Sequence, residues 1–141
     1  MWPYTADEAD NFFAGQAERA PRGELASRVL AMPADTNPSG DVFGGWIMAL
    51  MDAAGAMAAM KLTPGKVATV AVTDMTFHEP VRVGDTVCCY ADPVKFGRTS
   101  LSFHIEVWVL RSGKPPRVKV TEAEFTFVAI DAGGVPQPIS A

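Results

Sequence analysis

Between Gly40 and Lys61 the chain reads GDVFGGWIMALMDAAGAMAAMK, and this stretch restricts the possible folds more than any other. After the paired glycines Gly44 and Gly45 come Trp46, Ile47, Met48, Leu50, Met51 and a run of alanines, with Asp52 the sole charged residue before Lys61. A helix that is apolar on every face gains nothing from water on any side, so its place is the middle of a protein. At ~1.5 Å per residue, roughly 17 residues span about 25 Å, short of the ~30 Å hydrocarbon layer of a bilayer, and a carboxylate sits at the midpoint. Membrane insertion is therefore not expected. A lone charge in such surroundings costs several kcal/mol unless it is paired or protonated, so Asp52 needs either a partner or a task.

The remaining chain supplies something to wrap the helix. ELASRVLAM (Glu24–Met32) predicts a short strand that stops at Pro33. The loop PADTNPSGD follows, with turn signals at Asn37-Pro38 and Ser39-Gly40, and Pro64-Gly65 ends the helix. Four more strands are expected. Val67–Phe77 carries alternating valines, and Thr86–Ala91 is closed by Pro93. Leu101 to Val109 alternates with Ser102, His104, Glu106 and Trp108, the period of a strand with one buried face. Val118–Ile130 follows a hairpin signal at Ser112–Pro116. The fold class is α+β, one antiparallel sheet around one helix. Five strands leave part of such a helix and a sheet edge uncovered, so a second copy of the chain is expected to cover both.

A chain of 141 residues is most simply one domain. Its expected divisions are a flexible N-terminal arm (1–23), the domain itself (24–131) and a short polar tail (132–141). The formal net charge is -4 with the cations scattered, which argues against nucleic acid as a partner. Cys88 and Cys89 are adjacent and point to opposite faces of a strand, so they cannot bridge each other. A reducing cytoplasm fits, and the first residues, MWPYTADEADNFF, lack the pattern of a secretory signal.

Several residues are candidates for chemistry, each with a plainer reading beside it. Asp52 is either a satisfied structural carboxylate or a general base whose pKa desolvation raises. Gly44 and Gly45 either permit a tight turn or leave the first N–H groups of the helix open to a substrate carbonyl, where the helix dipole favours negative charge. Asn37 before Pro38 is ordinary turn chemistry or a polar contact to substrate. His78, beside Glu79 and Pro80 at a strand end, could line a cleft, whereas His104 alternates with buried residues and reads as sheet packing. No metal is expected, because these two histidines lack further ligands at metal-binding spacing. Lys95 to Ser100 (KFGRTS) is a solvated hairpin or, through Arg98, Thr99 and Ser100, a phosphate contact. Nucleophile elbows and phosphate loops are absent from the sequence.

The segments DTNPSGDVFGGWIMALMD, VATVAVTDMTFHEPVRVGDTVCCY, FGRTS, EVWV and EAEFTFVAID, in this order, resemble the YciA-like acyl-CoA thioesterases of the hot-dog fold, relatives of the brain-type acyl-CoA hydrolases. The likeness runs from about Glu24 to Asp131. It implies a helix wrapped by an antiparallel sheet, paired into a double hot-dog dimer and assembled as a trimer of dimers. By position, Asp52 matches the family's helix carboxylate, Asn37 its D-T-N loop and Gly45 its oxyanion segment, while Arg98 and Ser100 match its coenzyme A contact region. The partner implied is an acyl-CoA substrate, with no cofactor, since coenzyme A is itself part of the substrate and product. Two other classes are compatible with such a fold: a hydratase or dehydratase, which would use a His with an acid, and a non-hydrolytic acyl-CoA-binding module, which would dispense with the base.

Overall fold

A computed structural model describes residues 20–140, so nearly all of the expected N-terminal arm lies outside the described residues. The elements are β1 (Glu24–Leu30), a 3-10 turn (Pro33–Asp35), α1 (Gly44–Met60), β2 (Lys66–Phe77), β3 (Thr86–Phe96), β4 (Ser100–Arg111) and β5 (Lys114–Ile130). The five strands form one antiparallel sheet in the order β1-β3-β4-β5-β2, with α1 packed across one face. None of the described helices is long and apolar enough to cross a membrane.

The inward side chains of β4 and β5, among them Phe103, Ile105, Val107, Val109, Phe125 and Phe127, are fully buried against the helix. Helix and sheet approach so closely that a Cβ on Gly55 would lie 2.6 Å from Cζ of Phe127. Here glycine makes room for an aromatic ring.

The sheet does not bury the helix all round, despite its composition. Ile47, Met51, Ala54, Gly55 and Ala59 face the core, whereas Met48 and Met57 each keep 40% of their surface exposed. The sheet's β2 edge is similarly uncovered, with Val70, Val72 and Phe77 all exposed.

Strand limits differ from the sequence reading in ways that local chemistry explains. β1 ends at Leu30 rather than Met32, because Ala31 turns its N–H to the carbonyl of Asp85 (2.9 Å) and Met32 gives its own to Asp35 Oδ2 (3.0 Å). β3 does not close at Pro93; it continues to Phe96 with a register shift between Pro93 and Lys95, a bulge being where a strand tolerates proline. β5 starts at Lys114, directly after a tight turn in which Ser112 and Gly113 take φ of 52° and 75°. Nor is β4 buried on one face only: Ser102, Glu106 and Trp108 on the outer face are buried too.

Residues flanking the sheet are also tied to it. The carbonyl of Ala129 accepts from Gln137 N–H (2.9 Å), and that of Arg98 from Ile139 N–H (3.0 Å), so the end of the chain folds back along the sheet. At the other end, Arg22 pairs through Nε with Asp92 (2.5 Å) and donates its backbone N–H to Glu106 Oε1 (3.1 Å). Cys89 faces the core and Cys88 the outer surface, both as free thiols.

Candidate active site

The loop before α1 is built by Asn37. Its side-chain oxygen accepts the N–H groups of Ser39 (2.9 Å) and Asp41 (3.2 Å), while its own backbone N–H reaches the carbonyl of Asp41 (2.7 Å). This is the turn chemistry expected of Asn before Pro, and it leaves the side-chain NH₂ as the group not used by the loop. A further bond from Val42 N–H to Val81 O (2.9 Å) docks the loop onto the segment after β2.

The helix begins beside that docking point. Phe43 is its N-cap and provides no side-chain acceptor, and the first helical bonds to the Phe43 carbonyl come from Trp46 and Ile47 (3.1 and 3.4 Å). The N–H groups of Gly44 and Gly45 therefore have no acceptor among the described residues. Gly44 lines an open cleft of about 340 Å³ together with Val42, Ile47, Phe77, His78 and Pro80. Gly44 and the His78–Pro80 pair, candidates from two separate stretches, thus line one cleft. Gly45 faces open space, where an added Cβ would meet nothing within 4 Å.

Asp52 stands about 10 Å further along the helix from Gly45, given ~1.5 Å of rise per residue. It is half-buried rather than enclosed, and its Oδ1 accepts a hydrogen bond from Thr69 Oγ1 of β2 at 2.5 Å. One carboxylate oxygen is thereby oriented and the other left free for water or substrate. Thr69 was not singled out from the sequence. Nothing in the strand's own sequence separates it from Thr73 and Thr76 of the same strand.

Arg98, Thr99 and Ser100 form the turn between β3 and β4. Gly97 N–H bonds to Ser100 O (2.9 Å), and Thr99 O accepts from Ala129 N–H (2.8 Å). By register this turn lies at the sheet end where β5 finishes and β2 begins, whereas the Gly44 cleft lies where β2 finishes. One protomer therefore displays three separate groups: the glycine cleft, the Asp52–Thr69 pair and the Arg98 turn.

The two histidines are drawn to the outer face of the sheet. His104 Nε2 is 2.8 Å from Glu106 Oε2 and 3.4 Å from Glu122 Oε1, and His78 Nε2 is 3.7 Å from Glu122 Oε2. Neither pairs with Asp52. His104, Glu106 and Glu122 offer donor atoms within 4.8 Å of one another, a grouping across strands that linear spacing could not reveal. Lys119 supplies positive charge there, 2.6 Å from Glu122 and 3.6 Å from Glu106. Burial by itself would raise the Glu106 carboxyl. Bonds from the Trp108 indole, the Arg22 backbone and His104, with the charge of Lys119, outweigh it and hold the group below its ordinary value of 4.5.

The chain has clear relatives. Residues 39–115 match the family model described as the thioesterase superfamily. The chain is 54% identical over 125 residues to the acyl-CoA thioester hydrolase YciA of Salmonella typhimurium, covering 86% of this chain and 94% of that one. Among solved structures, the hexameric thioesterase y2039 of Yersinia pestis superposes with a TM-score of 0.83 at 51% identity, over 86% of this chain and 99% of that one. The hexameric hotdog fold thioesterase Cj0915 of Campylobacter jejuni does so with a TM-score of 0.78 at 41% identity, over 84% and 91%. One helix cradled in a five-stranded antiparallel sheet, with matches that span most of the chain, leaves no other placement: this is a hot-dog protein, and it belongs to the thioesterase superfamily.

Proposed function

We propose that this protein hydrolyses acyl-CoA thioesters to a carboxylic acid and coenzyme A, in an active site shared between two copies of the chain. The observation that carries this reading is the pair of unused N–H groups at Gly44 and Gly45, set on the same helix as a carboxylate with one oxygen held and one free. A thioester carbonyl placed against the helix N-terminus would be polarised by those donors, and negative charge developing on its oxygen would be stabilised by them and by the helix dipole. Asp52 then activates water as general base, or attacks the carbonyl itself to form an anhydride that water opens. In either route the C–S bond breaks and coenzyme A leaves as its thiolate, which takes the proton released by the attacking water. Thr69 orients the carboxylate for either route. The NH₂ of Asn37 contacts the carbonyl or the attacking water.

About 10 Å of helix separates Gly45 from Asp52, so one helix cannot present both to a single thioester. A two-fold pair of chains can, with the glycine cleft of one copy facing Asp52 of the other, which gives two equivalent sites per dimer. The exposed β2 edge and the uncovered methionines of α1 are the surface such a pairing would bury. A trimer of these dimers accords with the hexameric relatives. Arg98, with Thr99 and Ser100, would hold the phosphates of coenzyme A, and His78 and Pro80 would flank the entering thioester.

Thiol release from a panel of acyl-CoAs tests the proposal. Asp52→Asn is expected to lower hydrolysis by roughly 10²- to 10⁴-fold, because an amide neither accepts the proton nor attacks. Retention of near-parental hydrolysis would exclude Asp52 from the chemistry. Covalently linked subunits, Asp52→Asn in one and Gly45→Ala in the other, are expected to keep one working site if the site is shared. Activity far below half of the parent's in that pair would return both residues to one subunit.

A further inference from the structure

Two acids are buried among the described residues, Asp85 and Glu106, and the hydrolysis outlined above uses neither. Asp85 closes the turn before β3, its backbone N–H bonding to Arg82 O (3.1 Å), and its carboxylate takes three donors. Oδ2 accepts the backbone N–H of Arg82 (2.9 Å) and Nη1 of Arg111 at the end of β4 (2.5 Å), while Oδ1 accepts the N–H of Ser112 (3.4 Å). Nη2 of the same arginine stands 4.0 Å from Glu79 Oε2. One guanidinium thus reaches both ends of the segment 79–82, Glu79 directly and Arg82 through Asp85. Desolvation offsets much of what a buried ion pair gains, so the pair is weak evidence for stability alone.

The segment so held lines the glycine cleft. Glu79, Pro80 and Val81 face it together with Val42, Gly44 and Ile47. The two stretches are joined where Val42 N–H bonds to Val81 O (2.9 Å) and where Asp41 and Arg82 form an antiparallel bridge. Val42 and Val81 are both buried at this joint. On one side of it, Asp41 gives its N–H to the side chain of Asn37 (3.2 Å). On the other, the chain continues from Val42 through the N-cap Phe43 to the unused N–H groups of Gly44 and Gly45.

We propose that Arg111 and Asp85 are positioning residues for thioester hydrolysis: by holding Arg82 they fix the Val42–Val81 joint, and with it the place of Asn37 and of the Gly44 and Gly45 donors. The proposal rests on the hydrolase reading of that cleft. Neither residue touches substrate. Donors to a developing oxyanion act chiefly in the transition state and tolerate little displacement, so a loosened joint lowers kcat and leaves KM in place.

Steady-state kinetics of the full chain, run well below the melting temperature, compare Arg111→Gln with Phe103→Leu, a buried position eight residues back along β4. Both variants lose stability, one through a broken buried pair and the other through a core cavity, but only the first loosens the joint. Arg111→Gln is expected to lower kcat roughly tenfold with KM within about twofold, and Phe103→Leu to keep both within about twofold of the parent. Parent-like kcat in Arg111→Gln, an equal fall in Phe103→Leu, or a change in KM alone overturns the proposal. Amide hydrogen exchange at Val42 reads the joint without catalysis, and is expected to be about tenfold faster in Arg111→Gln than in Phe103→Leu. Arg111→Lys keeps a charge on Asp85 without spanning to Glu79; it is expected to lose about threefold in kcat, and it carries both measurements if the Gln variant does not fold. A parent that releases no thiol from acyl-CoA ends the hydrolase reading, while equal Val42 exchange in the two variants ends this one.

Discussion

β4 and β2 are both 12-residue strands rich in β-branched residues, yet they occupy opposite conditions. β4 lies at the centre of the sheet with Leu101, Phe103, Ile105, Val107 and Val109 sealed against the helix. β2 is an edge, and its Val70 and Val72 remain 57% and 39% exposed. Soluble proteins blunt such edges with charge, proline or a bulge. Although β2 has register shifts after Thr69 and Thr73, its Val70, Val72 and Phe77 stay exposed, as do Met48 and Met57 of α1. The contrast separates residues that hold one protomer together from residues that only a second protomer can satisfy. Asp52 and Thr69 stand on the second kind of surface.

The sharpest way to break this division is to charge the edge. Val70→Lys combined with Val72→Lys is expected to give a folded monomer by sedimentation with hydrolysis lowered on the order of a hundredfold or more, because each site would lose its facing subunit. A monomer with full activity would place the whole site in one chain. The opposite intervention belongs to the centre. Phe127→Ala removes a ring buried beneath Gly55 and is expected to cost about 3–5 kcal/mol in denaturant unfolding.

Two glycines of the same helix sharpen the contrast further. Gly55→Ala forces a methyl onto the Phe127 ring and is expected to cost about 1–3 kcal/mol of stability. At position 45 the protomer leaves open space, so Gly45→Ala is expected to keep the melting temperature while hydrolysis falls on the order of tenfold or more, since small displacements of a reacting group are costly. If Gly45→Ala unfolds the chain instead, that glycine serves the protomer and not the site.

The smallest effect concerns acid. Glu106 is held below its ordinary 4.5 in the folded chain, so in acid the unfolded chain binds a proton that the folded one resists. Its contribution to stability is therefore complete above about 4.5 and fades as the pH falls through the lower folded value. Thermal melts at stepped acidic pH should show that slope reduced in Glu106→Gln, which should also be less stable than the parent near neutrality. An unchanged slope would assign acid sensitivity to other carboxylates.

Much of this was legible in the sequence. The period of two in β4, the helix start at Gly44, and the turns at Asn37-Pro38 and Ser112-Gly113 follow from local rules of side-chain alternation and backbone freedom, whereas the helix stops at Met60, short of Pro64. The family motifs single out Asp52 and Gly45 as candidates. Pro93 misled, because a bulge lets proline stay inside a strand and no local rule announces a bulge. The short polar tail carries no local signal for where it lies, and its backbone returns to Ala129 and Arg98.

The chain's local chemistry, then, determines which segments become helix and strand, and that one acid must lie within an apolar helix, since both depend on neighbours a few residues away. Only the tertiary structure decides that Thr69 holds that acid, that Gly44 shares a cleft with His78 and Pro80, and that Arg111 meets Asp85. Those meetings are set by strand order and register, which bring together residues tens of positions apart and leave no trace in the spacing of any one segment.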